Sequence, residues 1–144
     1  MFPKSFYWGA ATASYQIEGG IENCDWAKAG REGKVPEAGK ACDHYNRYEQ
    51  DFDMAKDLGH NATRISVEWA RIEPEEGKFD KQEIEHYRKV LKYILSKDMT
   101  PFVTLWHFTL PQWVFDKGGF ENKEIPEAFA RYCERVVQEL GDEC

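Results

Sequence analysis

The sequence predicts an α/β fold built on a parallel sheet, and three observations carry that expectation. Strand-like and helix-like segments alternate along the chain, and the helical segments are long enough to cross back over a sheet. Segments ordered in this way are joined by right-handed crossovers into parallel sheets. The stretch from Met99 to Trp106 is almost continuously apolar, the pattern of a strand buried on both faces.

Each element follows from its own pattern. Phe6 to Ala13 reads as a short strand of aromatic and small residues that runs into a loop at Gly19-Gly20. Ile21 to Lys40 has no convincing period and is expected to be a loop with one helical turn; a loop of this length is more often functional than idle. From Asp43 to Leu58, Tyr45, Tyr48, Phe52, Ala55 and Leu58 recur at helical spacing, with Gly59 placed to end the helix. Asn61 to Trp69 alternates as a strand, with Ile65, Val67 and Trp69 on one face and Arg64, Ser66 and Glu68 on the other. Asp80 is placed to cap a second helix running to about Ser96, whose stripe is Ile84, Tyr87, Val90, Leu91 and Ile94. A third helix is expected from Ile125 to Leu140, with Phe129, Tyr132, Val136, Val137 and Leu140 facing inward. The 144 residues thus hold three β/α units. A closed barrel needs eight units and about 250 residues. The chain is therefore either a small open α/β domain or a piece of something larger.

Composition excludes several functions. The net charge of −7 argues against nucleic acid, because phosphate binding needs clustered Lys and Arg. No apolar run approaches a membrane span. The opening Met1-Phe2-Pro3-Lys4 leads straight into a strand without a secretory pattern, so a cytoplasmic location is expected. Cys24, Cys42, Cys133 and Cys144 lack metal-type spacing and are expected to be free thiols, Cys144 exposed. His44, His60 and His86 also lack ligand spacing and read as surface or capping residues, so no metal or other cofactor is expected. Aromatic residues reach 15%, which fits either a heavily packed core or a site that stacks flat ligands.

Gln16 and His107 are the sharpest candidate site residues. Both follow predicted parallel strands, so both fall at the C-terminal end of the sheet, where barrel enzymes place their chemistry. An amide and a neutral imidazole each donate and accept hydrogen bonds, as the hydroxyls of a sugar do. The residues alone leave open a buried amide and a buried histidine bonded to backbone. A lone strand arginine usually lies at an edge, but the alternation of Arg64 with Ile65 and Val67 would point it into a barrel of such strands, where a guanidinium needs a partner.

The segment Phe6-Tyr7-Trp8-Gly9-Ala10-Ala11-Thr12-Ala13-Ser14-Tyr15-Gln16-Ile17-Glu18-Gly19-Gly20 resembles the N-terminal signature of family 1 glycoside hydrolases. Further along, Asp43-His44-Tyr45-Asn46-Arg47-Tyr48, Arg64-Ile65-Ser66 with Trp69, Arg71 and Pro74, and Thr104-Leu105-Trp106-His107-Phe108-Thr109-Leu110-Pro111 agree in order and spacing. The resemblance implies a (β/α)8 TIM barrel, with residues 1–144 as the N-terminal part of a single domain. It also implies a retaining β-glucosidase acting on a small β-glucoside or oligosaccharide. It assigns Gln16 and His107 to the non-reducing sugar and gives Arg64 contact with the nucleophile. Phe108 stands where many relatives carry Trp, which weakens a stacking role. Thr109 stands where relatives specific for phosphorylated sugars tend to carry Glu, which favours unphosphorylated substrates.

Retaining hydrolysis needs two carboxyl groups about 5 to 5.5 Å apart. The resemblance places the acid in an Asn-Glu-Pro motif and the nucleophile in a later Glu, and neither motif occurs in these residues. The only Glu-Pro pair, Glu73-Pro74, follows Ile72. Glu18 and Glu68 are expected to be solvated or paired rather than catalytic. No catalytic residue is therefore assigned, Arg64 is left without its expected carboxylate, and the chain by itself is expected to be inactive. The alternative is a non-catalytic sugar-binding module, or one that self-associates through exposed sheet edges.

Overall fold

The computed structural model describes residues 1–144. Three strands, β1 (Gly9–Ala11), β2 (Ala62–Ser66) and β3 (Thr100–Thr104), form one parallel sheet in the order β1-β2-β3. The helices are α1 (Ser14–Ile17), α2 (Asp25–Arg31), α3 (His44–Asp57), α4 (Trp69–Ile72), α5 (Lys81–Ser96), α6 (Gln112–Asp116) and α7 (Ile125–Leu140). The alternation of strand and long helix is therefore present, with α3, α5 and α7 as the long helices.

Register decides what each face of the sheet carries. Ala11 pairs with Arg64 and Arg64 with Phe102, while Ile65 pairs with Val103. Side chains alternate along a strand, so Arg64, Ser66, Phe102 and Thr104 share one face. Ile65 and Val103 share the other. The second face is covered: Ile65 and Val67 belong to a core with Ile84, Leu91 and Ile94 of α5 and Tyr132, Val136 and Leu140 of α7. Gly9 is required by close approach, because a Cβ there would stand 2.1 Å from the carbonyl oxygen of Ala62.

Two aromatic side chains join this core to the upper end of the sheet. Trp69 stacks on Tyr132 with ring centroids 5.0 Å apart. The Tyr132 hydroxyl donates to the Leu105 carbonyl at 2.8 Å. Beside them Glu73 is fully buried yet satisfied. It accepts from Trp69 Nε1 at 2.8 Å, from the Gly77 amide at 2.7 Å and from Arg131 at 2.9 Å.

Several expectations are corrected. Strand pairing occupies only Gly9–Ala11 and Ala62–Ser66, because Ser14 and Trp69 already begin helices. Ile21 to Lys40 contains the seven-residue α2, with Cys24 capping it by accepting from the Ala27 amide at 3.4 Å. The third strand is not covered on both faces: Phe102, on the face away from the helices, is 46% exposed. Leu58 and Val137 lie in solvent, 79% and 57% exposed, because they stand off the inward stripe of their helices. His44 is buried at the start of α3, where Nδ1 lies 2.7 Å from Asp51. All four cysteines are free, and Cys144 is exposed. No helix is long and apolar enough to cross a membrane.

The Asp80 cap is found as expected, accepting from the amides of Gln82 at 2.7 Å and Glu83 at 3.2 Å. Replacing Asp80 by Ala strands these donors and is expected to lower stability by about 1 kcal/mol. Urea unfolding checks this, and an unchanged midpoint contradicts it.

Candidate functional site

The open face of the sheet and the segments that follow its strands bring together most of the residues singled out by sequence. Arg64 rises from β2 on that face. Its Nη1 donates to the carbonyl of Thr12 at 2.6 Å and lies 3.5 Å from His107 Nδ1. No carboxylate pairs with it, but the backbone bond satisfies a charge that sequence reading left without a partner. A guanidinium can only donate. In this contact His107 Nδ1 is the acceptor, which is the role it has in the tautomer with Nε2–H.

Phe108 occupies a strained position. Its φ is +75°, and the Thr109 amide donates to the His107 carbonyl at 2.9 Å across it, which makes a γ-turn. A non-glycine residue held there costs on the order of 1–3 kcal/mol. The turn is anchored by Trp106 Nε1, which donates to the Thr109 carbonyl at 2.9 Å. It projects Phe108 into solvent, 57% exposed, with the Trp26 ring 4.6 Å away. Trp26 was not distinguished in the sequence, because it lies in the long connection whose helix had no clear period.

Gln16 lies in α1 and is exposed, so the buried-amide alternative does not hold for it. Its helix is fastened two residues earlier. The Ser14 amide donates to Ser66 Oγ at 2.8 Å, and Ser14 Oγ donates to Glu68 Oε2 at 2.6 Å. Arg64, Thr12 and His107 are thus in contact, as are Phe108 and Trp26. Gln16 follows β1 at the same end of the sheet, with no side-chain hydrogen bond to either group.

Glu18 and Glu68 are both buried, and neither is free to act on a ligand. Glu18 accepts from Arg71 Nε at 2.9 Å and from the Tyr87 hydroxyl at 2.9 Å. Tyr87 in turn accepts from the Glu68 amide at 3.0 Å. Glu68 accepts from Ser14 and, at 3.1 Å, from Thr109 Oγ1. Behind the sheet Tyr45 stacks on His86, with centroids 3.7 Å apart, and burial pushes the His86 imidazole down to about 4. His86 is therefore a packed aromatic, not the surface or capping residue expected. A cavity of about 10 Å³, room for one water, lies between these rings, Glu18 and the Thr12 and Ser66 side of the strand ends. No cluster of three or more His, Cys, Asp or Glu is arranged to hold a metal ion.

Burial pushes the Glu18 carboxyl up to about 7, against the opposing pull of Arg71 and Tyr87. Burial moves Glu68 in the same direction. Between about 4.5, the ordinary value, and 7, the folded chain keeps a proton on Glu18 that the unfolded chain loses. The stability contributed by this group is greatest below that window and falls as pH rises through it. Replacing Glu18 by Gln removes the titration, so stability should vary less steeply over this range than in the unsubstituted chain. Chemical unfolding at a series of pH values checks this, and identical slopes contradict it.

Over residues 1–144 the chain matches the family described as Glycosyl hydrolase family 1. It is 38% identical to "Beta-glucosidase A" of Acetivibrio thermocellus, an alignment covering 98% of this chain and 34% of that protein. Among solved structures it matches the AHE enzyme from Alicyclobacillus herbarius with a TM-score of 0.94 and 40% identity, over 99% of this chain and 34% of the other. It matches the beta-glucosidase from Thermotoga maritima in complex with castanospermine with a TM-score of 0.91 and 37% identity, again over 99% and 34%. The chain spans about a third of the length of these relatives. The parallel three-stranded sheet, the groups gathered beyond its strand ends and these likenesses agree: the chain belongs to glycosyl hydrolase family 1, and its fold is part of that family's TIM barrel.

Proposed function

We propose that residues 1–144 form the N-terminal part of a single (β/α)8-barrel domain in a retaining β-glucosidase, which hydrolyses terminal β-D-glycosidic bonds of small β-glucosides or oligosaccharides. In this reading Gln16 and His107 hold the non-reducing sugar, while Arg64 and Phe108 support the site. The observation that carries it is the Arg64–His107 contact. That contact suits the tautomer with Nε2–H, a donor beyond the end of β3, beside an exposed aromatic ring. Gln16 adds an amide with both donor and acceptor, and a sugar hydroxyl needs both.

The bond-breaking step requires a proton donor and a nucleophile on opposite sides of the glycosidic bond. Glu18 is engaged by Arg71 and Tyr87, and Glu68 by Ser14 and Thr109. In this reading both reacting carboxylates come from residues outside 1–144, and Arg64 faces the place where one of them would sit. The net charge of −7 disfavours nucleic acid as a partner, and four free thiols suit a cytoplasmic location. Self-association through β1 and β3 belongs to the same proposal, because both are outer strands of the sheet and Phe102 and the neighbouring Trp8 are 46% and 50% exposed. Sedimentation of the purified chain as a monomer contradicts that part.

Residues 1–144 alone are expected to release no aryl product from an aryl β-glucoside at any pH, and steady hydrolysis by homogeneous protein would overturn this. The sugar-holding role is tested separately, with castanospermine as the probe. Gln16→Ala and His107→Ala each remove hydrogen bonds worth about 0.5–1.5 kcal/mol, so each should weaken binding about 2- to 10-fold. Titration by calorimetry or NMR checks this. Affinity unchanged from the unsubstituted chain in both variants contradicts the assignment.

A further inference from the structure

Glu68 makes no ion pair although it is only 2% exposed. Its carboxylate is held by hydroxyls and one backbone amide. Oε2 accepts from Ser14 Oγ at 2.6 Å, both oxygens accept from Thr109 Oγ1 at 3.1 Å, and Oε1 accepts from the Ala70 amide at 3.4 Å. The two hydroxyls come from the segments following the other two strands. Ser14 opens α1 two residues before Gln16, and Thr109 closes the γ-turn two residues after His107. Each hydroxyl has one proton to give, and both are directed at this buried group. Ser66 fastens Ser14 a second time, donating to its Oγ at 3.1 Å.

We propose that Glu68 is a positioning residue that sets the Gln16 segment and the His107 turn in one register through Ser14 and Thr109. The proposal rests on the reading of Gln16 and His107 as the sugar-holding pair, and explains how two separate loops are kept at a fixed relation. The His107 turn is the more dependent of the two. Phe108 sits at φ +75° and is 57% exposed, with only the Trp26 ring against it, so the strained backbone needs further support. The turn is held at Thr109, by Trp106 on the carbonyl and by Glu68 on the hydroxyl, and the next residue, Leu110, exchanges hydrogen bonds with Asp25. Releasing the second anchor lets the turn relax and carries the His107 ring away from Arg64. A carboxylate suits this place because its two oxygens accept from both loops at once, whereas a single hydroxyl would serve one of them.

The test is NMR of the labelled chain without ligand. Glu68→Met keeps the length of the side chain and removes its oxygens. The Gln16 side-chain amide and the His107 ring signals are both expected to shift or split, while the methyl signals of Leu91 and Ile94 stay in place. Glu68→Gln retains one acceptor oxygen and is expected to return the signals of only one of the two loops toward their original positions. Unmoved Gln16 and His107 signals in a folded Glu68→Met chain overturn the proposal, as does a shift spread equally through the core. If Glu68→Met does not fold, Ser14→Ala and Thr109→Val carry the test. Linked through Glu68, Ser14→Ala moves the His107 ring signals and Thr109→Val moves the Gln16 amide signals. Silence of the opposite loop in both variants contradicts the linkage. Because these signals are read without ligand, failure of castanospermine to bind would remove the sugar-holding reading while leaving this result intact.

Discussion

The register of β2 is the constraint on which the rest of the structure depends. It is hydrogen-bonded on both sides, to β1 through Arg64↔Ala11 and to β3 through Arg64↔Phe102. Its alternation sends Ile65 and Val67 into the helix-covered core and leaves Arg64 and Ser66 on the open face. A slip of one residue would exchange those faces. The guanidinium would then enter the core and the apolar pair would meet solvent, so the hydrophobic pattern fixes the direction of Arg64. From that direction follow the bond to Thr12 and the approach to His107.

Beyond the strand ends the structure changes from apolar packing to buried hydrogen bonding. Glu18, Glu68 and Glu73 are all buried, and each is supplied with donors from more than one element. A buried carboxylate left without donors would be strongly destabilising. Satisfied as they are, the three lock α1, α4, α5 and α7 to the sheet. The groups assigned to the ligand are by contrast exposed or half-buried, and they stand on short segments held by that network. Rigid support beneath exposed polar groups is what a binding site of fixed geometry requires.

The helices were legible because their signals are local. The five-residue stripe of α5 is buried as its spacing implies, and the Asp80 cap makes the expected bonds. The facing of Arg64 was legible because strand alternation has a period of two. What escaped depends on tertiary contact or on very short elements. The four-residue helices α1 and α4 are too short to show a period. The exposed face of β3 reflects which neighbours it has within these residues, and an apolar run does not report that. The positive φ of Phe108 has no local signature, since no glycine or asparagine marks it. The joint hold of Ser14 and Thr109 on Glu68 spans segments 54 and 41 residues apart, and only the folded sheet brings them together.

The central claim is that the register of three parallel strands gathers Gln16, Arg64 and His107 into a surface that holds a sugar. Intermolecular nuclear Overhauser effects between castanospermine and the labelled chain test it most directly. The expected result is contacts from ligand ring protons to both the His107 ring and the Gln16 side chain. Contacts confined to another part of the surface, such as the concavity between Trp26 and Phe115, with none at His107 or Gln16, would contradict it.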